Sequence, residues 1–178
     1  MKTYMFDTNV FNYILDGKVD VVQLIGKARF FATHVQLDEI KNTRNLERRE
    51  QLLKVFEDVM DTKVATESLV LGVSRLGEAK LSGEPIVPTE SAVWDISKWN
   101  QAKWSSEDGY YEPLKRRLDQ LNGSKFNNIH DALIAETSIK NGFTLVTHDN
   151  DLFKVVTQFG GACANFQQVI KELLQIDK

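Results

Sequence analysis

The chain has 178 residues, 42% hydrophobic and 26% charged, a composition typical of one soluble globular domain that is long enough to bury a core. Its single cysteine, Cys163, excludes an internal disulfide and predicts a reducing, cytoplasmic compartment. The polar N-terminus and the absence of any apolar run of membrane length argue against secretion and membrane insertion.

Hydrophobic periodicity in the first third of the chain predicts alternating strands and helices. Tyr4 and Phe6 fall on alternate positions of a short apolar run, which is typical of a strand. In chain order, the predicted elements are a strand over residues 2–6, a helix over 9–15, a helix over 19–27 with Val21, Val22, Leu24 and Ile25 buried, a strand over 30–35, and, after Glu39, a long polar helix through Leu46, Leu53 and Phe56.

The segment from about residue 62 to 125 differs in character. It contains all three tryptophans (Trp94, Trp99 and Trp104) and all three prolines, and no run in it favours a strand. We therefore expect a largely helical insert with helices over residues 68–81, 89–104 and 113–122. Its tryptophans could stack on bases, but more often such residues anchor a helix to a core or a partner.

The last third predicts a helix, a strand, a short strand and a closing helix. Asn127 or Asn128 is a plausible N-cap, which would place Asp131 in the first helical turn. The helix should end at 141–142, followed by a strand over 143–147, a strand near 162–166 and a helix to about residue 176. This alternation is typical of an α/β sandwich with a mostly parallel sheet.

Four carboxylates fall near the predicted strand ends. Asp7 follows the first strand, Glu39 the second, and Asp149 a late one, while Asp131 lies near the start of a helix. Because ligands of parallel α/β sheets bind at the carboxyl ends of the strands, these acids can meet at one edge. Four close carboxylates cannot all stay ionised without a cation, and oxygen ligands favour Mg²⁺ or Mn²⁺. The pattern predicts a metal-dependent phosphodiester site.

The order of these motifs resembles the PIN domain family, and most closely the VapC-like toxin ribonucleases. The resemblance covers roughly residues 1–60 and 125–178. It rests on Asp7-Thr8-Asn9, Glu39, Asp131-Ala132-Leu133-Ile134-Ala135 and Thr147-His148-Asp149-Asn150-Asp151-Leu152-Phe153. It implies one PIN-like domain over residues 1–178, a Rossmann-like three-layer α/β/α sandwich interrupted by the helical insert.

The resemblance also implies a Mg²⁺- or Mn²⁺-dependent endoribonuclease in which Asp7, Glu39, Asp131 and Asp149 are the catalytic, metal-binding acids. The accessory residues would be Thr8, Asn9, Thr147 and Asp151. We expect Asp7 and Asp149 to be the central ligands, with Asp131 completing the set and Glu39 binding a second metal or orienting a water. A family member of this kind would cut RNA, form a homodimer and, as a toxin, bind an antitoxin.

Other interpretations stay open at this point. Asp7 could be only a helix cap, and Asp151 competes with Asp149 as the fourth acid. The chain could instead be a structure-specific DNA nuclease, or a non-catalytic PIN-fold binding or assembly module. An aspartyl phosphatase is disfavoured, because Asn9 stands where its second Asp is needed, and three scattered histidines disfavour zinc.

Net charge does not decide between these functions. The formal charge of −3 comes from 25 acidic and 22 basic residues, and 25 less the four proposed ligands leaves 21 acids against 22 bases. A nucleic-acid partner is therefore permitted, although the usual basic surface is not evident.

Overall fold

A computed structural model describes residues 1–18, 21–80 and 109–174. Within them the chain forms a five-stranded sheet in which every strand pair is parallel, in the order β3-β2-β1-β4-β5. The strands are β1 (Thr3–Phe6), β2 (Arg29–Ala32), β3 (Thr62–Lys63), β4 (Thr144–Val146) and β5 (Cys163–Ala164). The predicted α/β class is confirmed.

Helices cover both faces of this sheet. In chain order they are α1 (Thr8–Tyr13), α2 (His34–Lys41), α3 (Leu46–Val59), α4 (Tyr111–Asn122), α5 (Asn127–Lys140), α6 (Asn150–Gln158) and α7 (Phe166–Leu174). A π-helical turn (Ile14–Lys18) follows α1, and a 3₁₀ helix (Val21–Leu24) precedes β2. No helix in the described ranges is long and apolar enough to cross a membrane.

The alternation of side chains along β1 divides the core into two layers. Tyr4 and Phe6 belong to a cluster with residues of α1, α3 and α7, whereas Met5 belongs to a cluster with residues of α4, α5 and α6. Successive side chains of a strand point to opposite faces, so a central strand must be apolar on both. The result is three layers, with β1 at the centre and its carboxyl end held from both sides.

Phe6, the last residue of β1, is fully buried. Its ring lies 5.0 Å from that of Phe30 and 5.3 Å from that of Phe166, measured between centroids, and it also packs edge-on against Phe11. Such aromatic contacts fix the position of the strand end. The residue that follows, Asp7, is therefore attached to a rigid part of the core.

The predicted helix over residues 19–27 is wrong in its extent. The described part is only the 3₁₀ helix Val21–Leu24, and residues 19 and 20 lie outside the described ranges. Leu24 is buried as expected, but Ile25 is 57% exposed. A short helix is enough to connect to β2, because Ala28 is already buried in the core directly before that strand.

The predicted helical insert is only partly helical. Residues 62–63 form β3, which pairs with β2, so the sheet continues where no strand was expected. Residues 68–80 contain turns rather than a helix, with Thr66 bridging to Ala79. The third predicted helix is confirmed as α4, which packs against α5 and α6. The predicted helix over 89–104, with the three tryptophans, lies outside the described residues.

Two strands are shorter than predicted, and each ends where a helix begins. The second strand stops at Ala32, and Thr33 caps α2, so residues 34 and 35 are helical. The final strand stops at Ala164, and Phe166 opens α7. The apolar residues beyond both ends are buried as helix residues, which the sequence pattern does not distinguish from strand residues.

Candidate functional site

The carboxyl ends of the adjacent strands β1 and β4 place Asp7 beside Thr147. Phe6 is paired in register with Val146, so the residues that follow each strand emerge side by side. The backbone N–H of Asp7 donates to the carbonyl oxygen of Val146 at 3.0 Å, which extends the pairing by one residue. This edge is where parallel α/β sheets bind ligands.

Asp7 is 5% exposed and accepts three hydrogen bonds. Its Oδ1 accepts from the backbone N–H of Thr8 at 2.6 Å, so Asp7 also caps α1. Its Oδ2 accepts from Asn9 Nδ2 and from the Thr147 hydroxyl, each at 2.6 Å. A carboxylate offers about four acceptor positions, so one remains, on Oδ1.

Thr8, Asn9 and Thr147, the three polar residues predicted as accessory, hold the loops around Asp7 together. The buried Thr147 hydroxyl, besides donating to Asp7, accepts from the backbone N–H of Asp149 at 2.9 Å. Asn9 Oδ1 accepts from the backbone N–H of His148 at 3.2 Å. These bonds link the first turn of α1 to the loop after β4.

Glu39 reaches the same edge from α2. The helix begins with a capping box, in which the Thr33 backbone N–H donates to Gln36 Oε1 at 2.9 Å. Gln36 Nε2 in turn donates to the carbonyl oxygen of Phe6 at 2.9 Å, which ties α2 to the end of β1. Glu39 is thus the sixth residue of α2, whereas the sequence pattern predicted that a helix begins only after Glu39.

Both carboxylate oxygens of Glu39 already have partners. Oε2 accepts from the Thr8 hydroxyl, and Oε1 lies 2.7 Å from His130 Nδ1. Glu39 therefore links α1, α2 and α5. A carboxylate used in this way is well placed to position neighbouring groups.

Asp131 is the fifth residue of α5, so the prediction that it lies in the first turn is wrong. Neither predicted asparagine is the cap. The helix begins at Asn127, and the buried Asn128 amide instead donates to Asp119 Oδ1 at 2.6 Å and to the carbonyl oxygen of Gly123 at 2.9 Å. The Asn128 side chain thus secures the connection between α4 and α5. Asp131 lies about one turn further along α5.

Asp131 differs from the other three acids because its carboxylate accepts no hydrogen bond from any described residue. Burial, together with the negative charges of Asp7, Glu39 and Asp149, raises its pKa to about 8, against a smaller opposing effect of Lys125. Burial likewise raises the pKa of Asp7 to about 6, although the hydrogen bond from Thr147 opposes this. The site is therefore short of positive charge.

Asp149 is the most exposed of the four acids and caps α6. Its Oδ1 accepts from the backbone N–H groups of Asp151 at 2.7 Å and Leu152 at 2.9 Å, while Oδ2 accepts no hydrogen bond from the described residues. Asp151 instead forms an ion pair with Lys154 at 3.4 Å and does not line the cavity that the four acids share. The geometry thus favours Asp149 over Asp151 as the fourth acid.

The four acids line one open cavity of about 540 Å³. Asp7, Glu39, Asp131 and Asp149 come from four segments far apart in the sequence, as the strand-end argument predicts. Of the three histidines only His130 lines it, which does not favour zinc. Among the described residues, the lining consists of Asp7, Thr8, Asn9, Asn12, Glu39, Asn42, Phe126, Asn127, His130, Asp131 and Asp149.

Sequence reasoning did not identify five of these lining residues as part of the site: Asn12, Asn42, Phe126, Asn127 and His130. Phe126 and Asn127 stand directly before the helix that carries Asp131, and His130 is its neighbour. The only signal in the sequence was that some of these residues stand close to a proposed metal-binding acid. Closeness in sequence does not distinguish a residue that lines the cavity from one that is buried in the core.

The donor set fits a hard divalent cation, although no three His, Cys, Asp or Glu side chains of the described residues lie close enough together to hold a metal directly. Mg²⁺ commonly keeps several waters and uses one or two carboxylates. The unpartnered Asp131 carboxylate and Asp149 Oδ2 are oxygen donors of this kind. The residues present therefore suit a hydrated Mg²⁺ or Mn²⁺ ion.

Comparison with known proteins adds little to this geometry. No protein-family model matches the chain, and no curated protein sequence matches it. Among solved structures, the crystal structure of FitAcB from Neisseria gonorrhoeae is similar over 91% of this chain and 96% of that chain, with a TM-score of 0.38 and 12% sequence identity. A similarity of this strength carries no conclusion about function, which must come from the site itself.

Proposed function

We propose that the protein is a Mg²⁺- or Mn²⁺-dependent endoribonuclease that hydrolyses RNA phosphodiester bonds. The observation that carries this proposal is the shared cavity of Asp7, Glu39, Asp131 and Asp149, in which Asp131 has no hydrogen-bond donor among the described residues and a pKa raised to about 8. A divalent cation relieves that imbalance. The PIN-like order of the same four acids in the sequence supports the same activity.

The roles of the acids follow from their hydrogen bonds. Asp131 and Asp149 would hold the ion, and Asp7, whose Oδ1 keeps one acceptor position, would accept a hydrogen bond from one of its waters. Glu39, with both oxygens engaged, would position Thr8 and His130 rather than bind a second metal. The bound ion supplies charge neutralisation at the phosphate and a water of lowered pKa.

The protein's own residues would prepare this site for the ion. Thr147 and Asn9 hold Asp7 in one orientation, and the α6 cap does the same for Asp149. Carboxylates oriented in advance lose little conformational freedom when the ion and the phosphate bind. The toxin role, an antitoxin partner and a homodimer rest on the sequence resemblance alone and remain predictions.

Cleavage of a mixed RNA pool by purified protein tests the proposal. We expect cleavage with Mg²⁺ or Mn²⁺, none with a chelator, and a loss of at least about 100-fold in Asp131→Asn, since electrostatic stabilisation is the main term at such sites. Asp151→Asn is the matched control, because it removes a nearby acid that does not line the cavity, and it should stay active. If Asp131→Asn and Asp151→Asn were equally active, the cavity would be excluded as the active site. If the protein cut DNA but no RNA, DNA would replace RNA as the proposed substrate.

A further inference from the structure

The cavity is larger than a hydrated cation needs. An ion with six waters fills roughly 200 Å³ at about 30 Å³ per water, while the cavity has about 540 Å³. The lining away from the carboxylates consists of Asn12, Asn42, Asn127 and Phe126. An aromatic ring is not a ligand for Mg²⁺, so this part of the cavity has room for a group other than the ion.

Phe126 is exposed at the rim of the cavity. It directly precedes α5 and is 63% exposed, although Phe is normally buried. Its one ring contact with the described residues is edge-on with His130, at 5.1 Å between centroids and an interplanar angle of 77°. A ring that served the core would be covered, so this one is available to a ligand.

The neighbouring amides can recognise a polar planar group. Each asparagine side chain offers both donors and an acceptor. Asn12 is held by Arg48, whose Nη2 donates to Asn12 Oδ1 at 2.8 Å, so its position is fixed. An aromatic ring and a fixed amide that line the same cavity as the four carboxylates have the chemistry that a nucleobase requires when its phosphate lies at the carboxylates.

We propose that Phe126 is a substrate-binding residue that stacks on the base of a nucleotide next to the bond that is cut. This inference rests on the proposed nuclease function and adds to it a preference for unpaired RNA. A base within a duplex already stacks on its neighbours and cannot present a face to the ring. The asparagines around the ring would contact the edge or the sugar of the same nucleotide.

Steady-state kinetics on a short single-stranded RNA tests this role. Base–aromatic stacking predicts that Phe126→Ala raises KM by about 5- to 100-fold while kcat changes little. Phe126→Trp should restore KM, since a larger ring also stacks. Leu46→Ala is the matched control, because Leu46 is 61% exposed but does not line the cavity, and its KM should equal that of the wild type.

A binding measurement separates this inference from the nuclease proposal. In the Asp131→Asn background, an RNA that contains 2-aminopurine should lose fluorescence on binding, and the additional Phe126→Ala change should abolish that loss. The same sequence as a duplex should bind more weakly. If the wild type cuts no RNA, the nuclease proposal fails. The fluorescence assay still shows whether Phe126 stacks on a base.

Two outcomes would overturn the inference. One is an unchanged KM for Phe126→Ala in an enzyme that does cut RNA. The other is equal quenching with and without the ring. If Phe126→Ala leaves RNA binding intact but disrupts a complex with a protein partner, the ring belongs to a protein interface instead.

Discussion

Removing the charge of Asp131 should change how the stability of the metal-free protein depends on pH. The folded protein holds a proton on Asp131 up to a pKa of about 8, whereas the unfolded chain has the model value of 3.8. Between these values the folded state binds more protons, so stability is full below about pH 4 and is lost as pH rises to 8. Because asparagine does not ionise, Asp131→Asn removes this loss of stability at higher pH.

The size of the effect follows from the pKa difference. Each pH unit within the window lowers the free energy of unfolding by about 1.4 kcal/mol. From pH 5 to pH 7 the contribution of Asp131 falls by roughly 3 kcal/mol, or about 6 to 12 °C in Tm for a domain of this size. We therefore expect Asp131→Asn to equal the wild type below about pH 4, to exceed it already at pH 5, and to exceed it by roughly 3 kcal/mol more at pH 7.

Thermal melts in a chelating buffer at pH 5, 6, 7 and 8 measure this difference. The comparison between variant and wild type is needed because Asp7, with a pKa of about 6, adds a slope of its own to both. Asp151→Asn is the control and should show a constant offset. A difference between Asp131→Asn and wild type that does not grow with pH would refute the electrostatic reasoning.

Three further predictions follow from named contacts. Thr147→Val should lower the free energy of unfolding by about 1 to 3 kcal/mol in urea melts, because it leaves the buried Asp7 carboxylate and the Asp149 N–H without their hydrogen bonds to the hydroxyl, and Thr147→Ser should restore most of it. Glu39→Gln should lower the pKa of Asp131, since the Glu39 charge is one cause of its rise, and carboxyl NMR titration would show no change if that cause were wrong. Phe6→Ala should cost about 3 to 5 kcal/mol by the same urea assay, because Phe6 is fully buried among other rings, and a cost below 1 kcal/mol would contradict the packing.

Much of the carboxylate arrangement could be predicted from the sequence, because it depends on strand ends. Asp7 follows β1 directly and Asp149 follows β4 by three residues, and parallel strands bring such positions to one edge. The choice of Asp149 over Asp151 depends on the α6 cap, which the sequence leaves open. The hydrogen bonds to Glu39 were not predictable, since they require a helix that begins at His34 and not after Glu39.

The middle of the chain was harder to predict for a different reason. β3 has only two residues and both are exposed, so no apolar alternation marks it. Residues 68–80 have helix-like apolar spacing, yet the buried residues there, Val70 and Ala79, lie in isolated β-bridges between turns. Phe126 was missed because the exposure of an aromatic side chain cannot be seen in sequence.

Titration of Mn²⁺ into metal-free protein, followed by the electron paramagnetic resonance signal of the free ion, tests the central claim most directly. The structure predicts saturable binding by the wild type and by Asp151→Asn, and a loss of at least tenfold in affinity for Asp131→Asn. If the wild type binds no Mn²⁺ at millimolar concentration, or if Asp131→Asn binds it equally well, the four carboxylates are not a cation site.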